Sequence, residues 1–184
     1  TITNVEYRID RGAWNPATPT DGIFDSNNED YILTTALLAD GIHTIEIRAT
    51  DSATNVETTF ASDTFTIDTT APIVDIIAPL TSNVTNENYI ITFTDNELTN
   101  AQCSVNNINW IPCISETTLL NNIPEFVLLS EGAFTLYLKD TDLAGNIGTD
   151  NEIGIIKDTI SPSITSFQAF PSQNISQNNP TTIS

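Results

Sequence analysis

Apolar and polar residues alternate along several short stretches of the chain. His43, Ile45, Ile47 and Ala49 interleave with Thr44, Glu46 and Arg48, and Phe134, Leu136 and Leu138 interleave with Thr135, Tyr137 and Lys139. A period of two sends successive side chains to opposite faces, so both stretches predict strands with one buried face. Glu6 to Ile9, Thr64 to Ile67, Tyr89 to Thr94 and Ile153 to Ile156 also read as strands. Helical periodicity is not expected over any useful length. Strands of this kind between turn signals predict an all-β chain.

The pattern recurs. Residues 37–56 match residues 128–147 at a shift of 91 positions, with Leu-Leu, Gly, Thr, a basic residue, Thr-Asp, Ala and Asn in register. Tyr7 leading to Trp14 and Pro16 matches Cys103 leading to Trp110 and Pro112 at a shift of 96. Asp68-Thr69 with Pro72 matches Asp158-Thr159 with Pro162 at a shift of 90. Three anchors in one order predict two copies of one unit that differ by loop insertions. Short strands in a unit of about 90 residues suggest a seven-stranded sandwich.

The expected division is 1–70, a copy lacking its first two strands; 71–160, a complete copy; and 161–184, the first strands of a further copy or a donated strand segment. Between Pro72 and Cys103 lie 31 positions, whereas six residues precede Tyr7. Joining Ser184 to Thr1 of another chain gives 29 positions from Pro162 to Tyr7, close to that 31. Either a stretch of a longer array or strand donation between chains accounts for this, and both predict neighbouring copies arranged head-to-tail. The absence of Met suggests an internal or processed piece of a longer protein.

Four motifs carry a family resemblance. They are Cys-Ser-Val-x-x-x-x-Trp-x-Pro-Cys from Cys103, Gly-x-x-Thr-Leu-x-Leu-Lys from Gly132, Asp-x-Ala-Gly-Asn from Asp142, and Asp-Thr-x-x-Pro from Asp158. Together they resemble the bacterial Ig-like and hyalin-type tandem repeats of large adhesins and cell-surface proteins. The resemblance spans nearly all of residues 1–162. It implies tandem immunoglobulin-like β-sandwich domains. The first copy departs from the pattern: Tyr7 and Ala17 stand for the cysteines, Thr54 for the Gly, and an acidic insertion runs from Asp21 to Asp30. The spacing of Cys103 and Cys113 across a turn near Asn107 fits either a disulfide or two free core thiols. The resemblance implies the disulfide, and with it an extracellular, oxidising location.

Composition narrows the partners. Against 24 Asp and Glu stand 5 Lys and Arg, a net charge of −19. Nucleic acid is not an expected partner, because phosphate binding needs Lys and Arg. No apolar run approaches the roughly 18 residues of a membrane span, so no membrane insertion is expected in this segment.

The carboxylates cluster in loops. In an Ig-like sandwich the incoming linker, the second-to-third strand loop and the last hairpin loop meet at one end. In the second copy these carry Asp68, Asp95 with Glu97, and Asp140 with Asp142 and Asn146. Asp51 and Asp158 occupy equivalent positions at the neighbouring junctions. Hard oxygen donors from several loops suit Ca2+; the alternative is that Asp51, Asp142, Asn55 and Asn146 cap turns. Asp40 and Glu131, in the loops at the opposite end, are candidates to reach a junction from the neighbouring domain. His43 reads as a strand residue, and no second His or Cys pair supports zinc. No base stands beside a candidate Ser nucleophile, so no enzyme is expected. Asn83 and Asn174 head glycosylation sequons.

The expected function is structural. The chain reads as a cell-surface spacer or a filament or surface-layer segment, stiffened by Ca2+ at its junctions. The alternatives are an adhesin module binding a glycan or protein through its loops, and an accessory domain of a secreted hydrolase.

Overall fold

The computed structural model describes residues 1–165, and it is all-β apart from one short helical segment. In chain order the strands are β1 (Ile2–Ile9), β2 (Asn15–Pro16), β3 (Thr18–Pro19), β4 (Tyr31–Ile32), β5 (Gly41–Asp51) and β6 (Ala61–Ile67). Then come β7 (Val74–Ala78), β8 (Val84–Thr85), β9 (Thr92–Asp95), β10 (Gln102–Ser104), β11 (Ile111–Pro112), β12 (Gly132–Thr141) and β13 (Ile147–Lys157). A 3-10 turn at Leu120–Asn122 and the helix α1 (Pro124–Leu128) lie between β11 and β12.

The larger sheets run in the orders β2-β1-β5-β6 and β11-β10-β12-β13-β8. Their registers coincide. Tyr7 pairs with Asn15 and Ile47, and Cys103 with Ile111 and Leu138, so each partner is displaced by the sequence shift of its anchor. Gly41 opposite Ile67 corresponds in the same way to Gly132 opposite Lys157. One difference is a bulge in the β12–β13 hairpin, where Gly154 adopts a positive φ of 71° and drops out of the pairing.

Between Val74 and Lys157 seven strands form two sheets, with β7 paired to β9 and packed against β12 and β13. Val74, Ile76, Ile91 and Phe93 meet Cys103, Val105, Leu136, Leu138 and Ile155 in one apolar core. Leu120 from the 3-10 turn, Phe126 from α1 and Ile123 between them are all fully buried. The Lys157 ammonium donates to the Phe126, Val127 and Leu129 carbonyls, capping the C-terminal end of α1. The helical segment departs from the expectation, because five residues are too few to display a period. The strand expected over Tyr89 to Thr94 begins only at Thr92; Ile90 makes an isolated bridge to Leu119.

The first sheet is covered differently. Residues 18–36 form the β3–β4 ribbon and the acidic loop, which folds back on β1: Ile2 N–H donates to the Ser26 carbonyl at 2.7 Å and the Tyr7 hydroxyl to that of Thr34. Glu29 accepts the Asp25 and Ser26 amides and so organises the loop internally. Among the described residues no strand pair stands against β5 and β6 as β7 stands against β12 and β13. Ile45 and Ile47 are accordingly half-buried, whereas their counterparts Leu136 and Leu138 are 0% and 1% exposed.

Candidate functional site

The acidic cluster is assembled where the linker after β6 reaches the β12–β13 hairpin. The approach is close: a Cβ at Gly148 would lie 1.9 Å from the Pro72 carbonyl oxygen, so only glycine admits the linker there. Asn146 ties the hairpin to the linker, its Nδ2 donating to the Asp68 carbonyl at 3.1 Å and to Asp142 Oδ2 at 2.8 Å. Asp142 Oδ1 also accepts the Asn146 amide. Burial pushes the Asp142 carboxyl up, but the bonds from Asn146, Gly145 and Ala144 outweigh it and hold it below the ordinary Asp value.

Asp140, at the end of β12, is fully buried in the position that Ala49 occupies in the first sheet. Its Oδ1 accepts the Asn100 amide, and its Oδ2 accepts the Thr99 hydroxyl at 2.8 Å and the Thr99 amide at 3.3 Å. Burial raises its pKa, and these donors together bring it below the usual value. The carboxylate thereby fixes the loop that follows Asp95.

Asp95 closes β9. Its Oδ1 accepts the Glu97 and Leu98 amides, while its Oδ2 is buried without a hydrogen-bond partner. Glu97 is pushed above the ordinary Glu value, first by desolvation and then by the charges of Asp142, Asp68, Asp140 and Asp95. Four of the predicted metal-binding carboxylates therefore act on one side chain. Asp51 and Asp158 are not part of this group. Asp51 caps its own hairpin by accepting from Ala53 and Asn55, and Asp158 accepts the Ile160 amide beyond β13. Among the described residues no three His, Cys, Asp or Glu side chains are gathered so as to hold a metal ion.

Asp40 reaches the linker after β6, where it accepts from the Thr69 amide and hydroxyl and from the Thr70 hydroxyl. Glu131 does the same to Thr159 after β13. The threonine bonds pull both carboxyls below their usual values. The sequence signal was present, an acid at 40 and 131 with a Thr at 69 and 159, but nothing in it distinguished a clamp from a ligand.

The cations are used elsewhere. Ion pairs within 4 Å among the described residues are Arg8–Glu46, Arg48–Glu6 and His43–Asp10. Arg8 and Arg48 also stack on Trp14, Lys139 lies over Trp110, and Lys157 caps α1. His43 lies in β5, as expected, with both ring nitrogens on acceptors.

Cys103 and Cys113 are joined in a disulfide, with Cα atoms 5.5 Å apart across the β10–β11 hairpin. Asn83 lies in the turn before β8, its Oδ1 accepting the Leu80 amide. Asn174 and most of the 161–184 segment lie outside the described residues. No described helix is long and apolar enough to cross a membrane. No protein-family model matches the chain, and a search of curated proteins finds no match.

Proposed function

We propose that the chain is a stretch of a tandem array of immunoglobulin-like β-sandwich domains at a cell surface. In this reading it is an extracellular spacer or filament segment whose junctions are stiffened by Ca2+. The observation that carries it is the junction itself: Asn146 ties the hairpin to the linker, the charges of Asp142, Asp68, Asp140 and Asp95 act on Glu97 there, and among the described residues no ion pair reaches them.

The donor chemistry fits a hard divalent cation. Carboxylates near the linker offer anionic oxygen, although among the described residues no three of them are gathered into a ready set, and Asp95 Oδ2 is a buried acceptor without a donor. Ca2+ takes six to eight oxygen ligands and accepts backbone carbonyls and side-chain amides as readily as carboxylates, so a partial carboxylate set suffices. Once bound it supplies the positive charge that the local side chains do not. Asp51 and Asp158 then belong to the same positions at the preceding and following junctions, which is why they lie apart from this one. The disulfide supports an extracellular location, since such bonds persist in oxidising compartments.

Chelation tests the proposal. At Ca2+ a hundredfold above its dissociation constant the linkage contribution is about 2.7 kcal/mol. EGTA should therefore lower the melting temperature, and small-angle scattering should show a wider spread of angles at the linker. Identical melting and scattering with and without EGTA would refute the Ca2+ role.

A further inference from the structure

His43 ties three segments together. Its Nδ1 lies 2.7 Å from Oδ2 of Asp10, just beyond β1, and its Nε2 lies 2.8 Å from the Ala39 carbonyl oxygen. Its ring stands beside that of Phe65 in β6, with centroids 5.7 Å apart. The side chain is 12% exposed, so water has little room to replace either partner. Asp10 is itself fixed by the Thr44 amide, which donates to its Oδ1 at 2.9 Å.

The residue after Ala39 is the one that grips the linker. Asp40 Oδ1 accepts the Thr69 amide and hydroxyl, and Oδ2 accepts the Thr70 hydroxyl. The Ala39 carbonyl belongs to the planar peptide group that joins it to Asp40, so a ring bonded there fixes the plane from which Asp40 projects. Among the described residues Asp10 is the one charge that bears on the ring. The other charged groups nearby are engaged elsewhere or exposed. Asp63 in β6 accepts the Thr64 amide, Asp68 accepts the Thr70 amide, and Arg8 pairs with Glu46. Arg11, next to Asp10, is exposed and makes no ion pair among the described residues.

Protonation decides whether both bonds of the ring can exist. The imidazolium has two N–H donors and satisfies Asp10 and Ala39 together, whereas the neutral ring has one. The bond to the charged carboxylate is the stronger, so the remaining N–H stays on Nδ1. The Nε2 lone pair then faces the Ala39 carbonyl oxygen, and that contact turns repulsive.

We infer that protonated His43 locks the Asp40 clamp onto the linker and neutral His43 releases it, which makes this fastening a pH-sensitive one. The corresponding fastening after β13 has no such control. There Glu131 holds Thr159, but Phe134 stands in the place of His43 and Asn106 in that of Asp10. The device goes beyond the spacer reading and needs no Ca2+.

Water-exchange NMR of the full chain in EGTA tests this, followed from about pH 5 upward through the His43 ring titration. The readout is the protection of the Thr69 and Thr159 amides, corrected for the intrinsic pH dependence of exchange. Asp40 and Glu131 are held below their usual values by their threonines, so both stay ionised throughout. Protection of Thr69 should be lost with the midpoint of the His43 ring, while that of Thr159 is kept. Asp10→Asn should move the ring midpoint and the Thr69 midpoint down together, and His43→Phe should remove the step. Circular dichroism establishes whether His43→Phe folds, and the wild-type and Asp10→Asn titrations decide the matter if it does not. Thr69 protection that is unchanged while the ring titrates, or that does not follow the ring in Asp10→Asn, overturns the inference. Because every sample contains EGTA, failure of the Ca2+ role leaves the outcome unchanged.

Discussion

Lys139 Nζ lies 4.3 Å from the centroid of the Trp110 ring, and at the equivalent place in the first sheet Arg48 lies 4.1 Å from Trp14. The first arrangement is the richer one: Trp14 also receives Arg8 at 4.6 Å and an edge-to-face contact from Phe60 at 5.0 Å. A cation over an aromatic face contributes about 0.5–1 kcal/mol when exposed, and an aromatic pair a similar amount. Trp14→Leu should therefore cost about 1–2 kcal/mol more than Trp110→Leu. Urea denaturation of the two variants, followed by circular dichroism, measures the difference; equal costs would show that the stacking contributes nothing.

The contact between Asp10, beyond the end of β1, and His43 in β5 should lose its stabilising contribution on both sides of a pH window. His43 Nδ1 faces Asp10 Oδ2 at 2.7 Å and Nε2 faces the Ala39 carbonyl at 2.8 Å, so the doubly protonated ring satisfies both. The Ala39 bond first, and then Asp10, raise the His43 pKa. Its contribution is complete below about pH 6.5 and is lost as pH rises through the raised folded value. Bonds from Thr44 and then His43 lower Asp10, whose contribution is present above about pH 3.9 and lost as pH falls through the depressed value. NMR titration of the His43 ring should give a pKa above that of the unfolded chain, and Asp10→Asn should lower it only in part, because the Ala39 carbonyl remains.

Gly148→Ala should disturb the junction more than any exposed glycine-to-alanine change. The new methyl would meet the Pro72 carbonyl, which is backbone and moves only with the linker. Overpacking of this kind costs about 1–3 kcal/mol. Amide exchange should speed up at Asn146 and in the linker while β10 stays protected. Exchange that rises equally in both regions would indicate global rather than local loosening.

The sheet frame was legible because alternation and repetition are carried by side chains that every strand must place. The repeat anchors Tyr7 and Cys103 fall on equivalent strands with equivalent partners. The role of the Asp140 carboxylate was less legible, because Thr99 and Asn100 meet it only after a turn with a positive φ at Leu98. Helix α1 left no trace, since Leu120, Ile123 and Phe126 are three apolar residues in a stretch too short to define a period. The Arg8–Glu46 and Arg48–Glu6 pairs come from strand register, which the repeat suggested but did not fix.

Reduction of Cys103–Cys113 should destabilise only the second half. The cysteines are separated by 10 positions, and a loop of that length gives about 2–3 kcal/mol in the chain-entropy treatment. Both cysteines are buried in the core that includes Val105 and Leu138, so the reduced thiols remain packed and no cavity is created. Cys103→Ala with Cys113→Ala should cost more than reduction, because it also removes buried volume. Melting of residues 74–157 with and without a thiol reductant separates the two contributions.

Glu97 gives the junction a prediction whose sign depends on the cation. Desolvation and four neighbouring carboxylates raise its pKa, so its ionised form is disfavoured in the folded state. In EGTA, stability should fall as pH rises through the raised folded value, and Glu97→Gln should remove that fall and raise the melting temperature. Glutamine, however, is a weaker donor to a hard cation than carboxylate. With Ca2+ present the same substitution should therefore lower the melting temperature and shift the Ca2+ midpoint to higher concentration. Salt should mimic only the first effect, since screening weakens the repulsion felt by the exposed Glu97 without coordinating it. A Glu97→Gln chain that is stabilised equally in EGTA and in Ca2+ would show repulsion at the linker but no ion bound there.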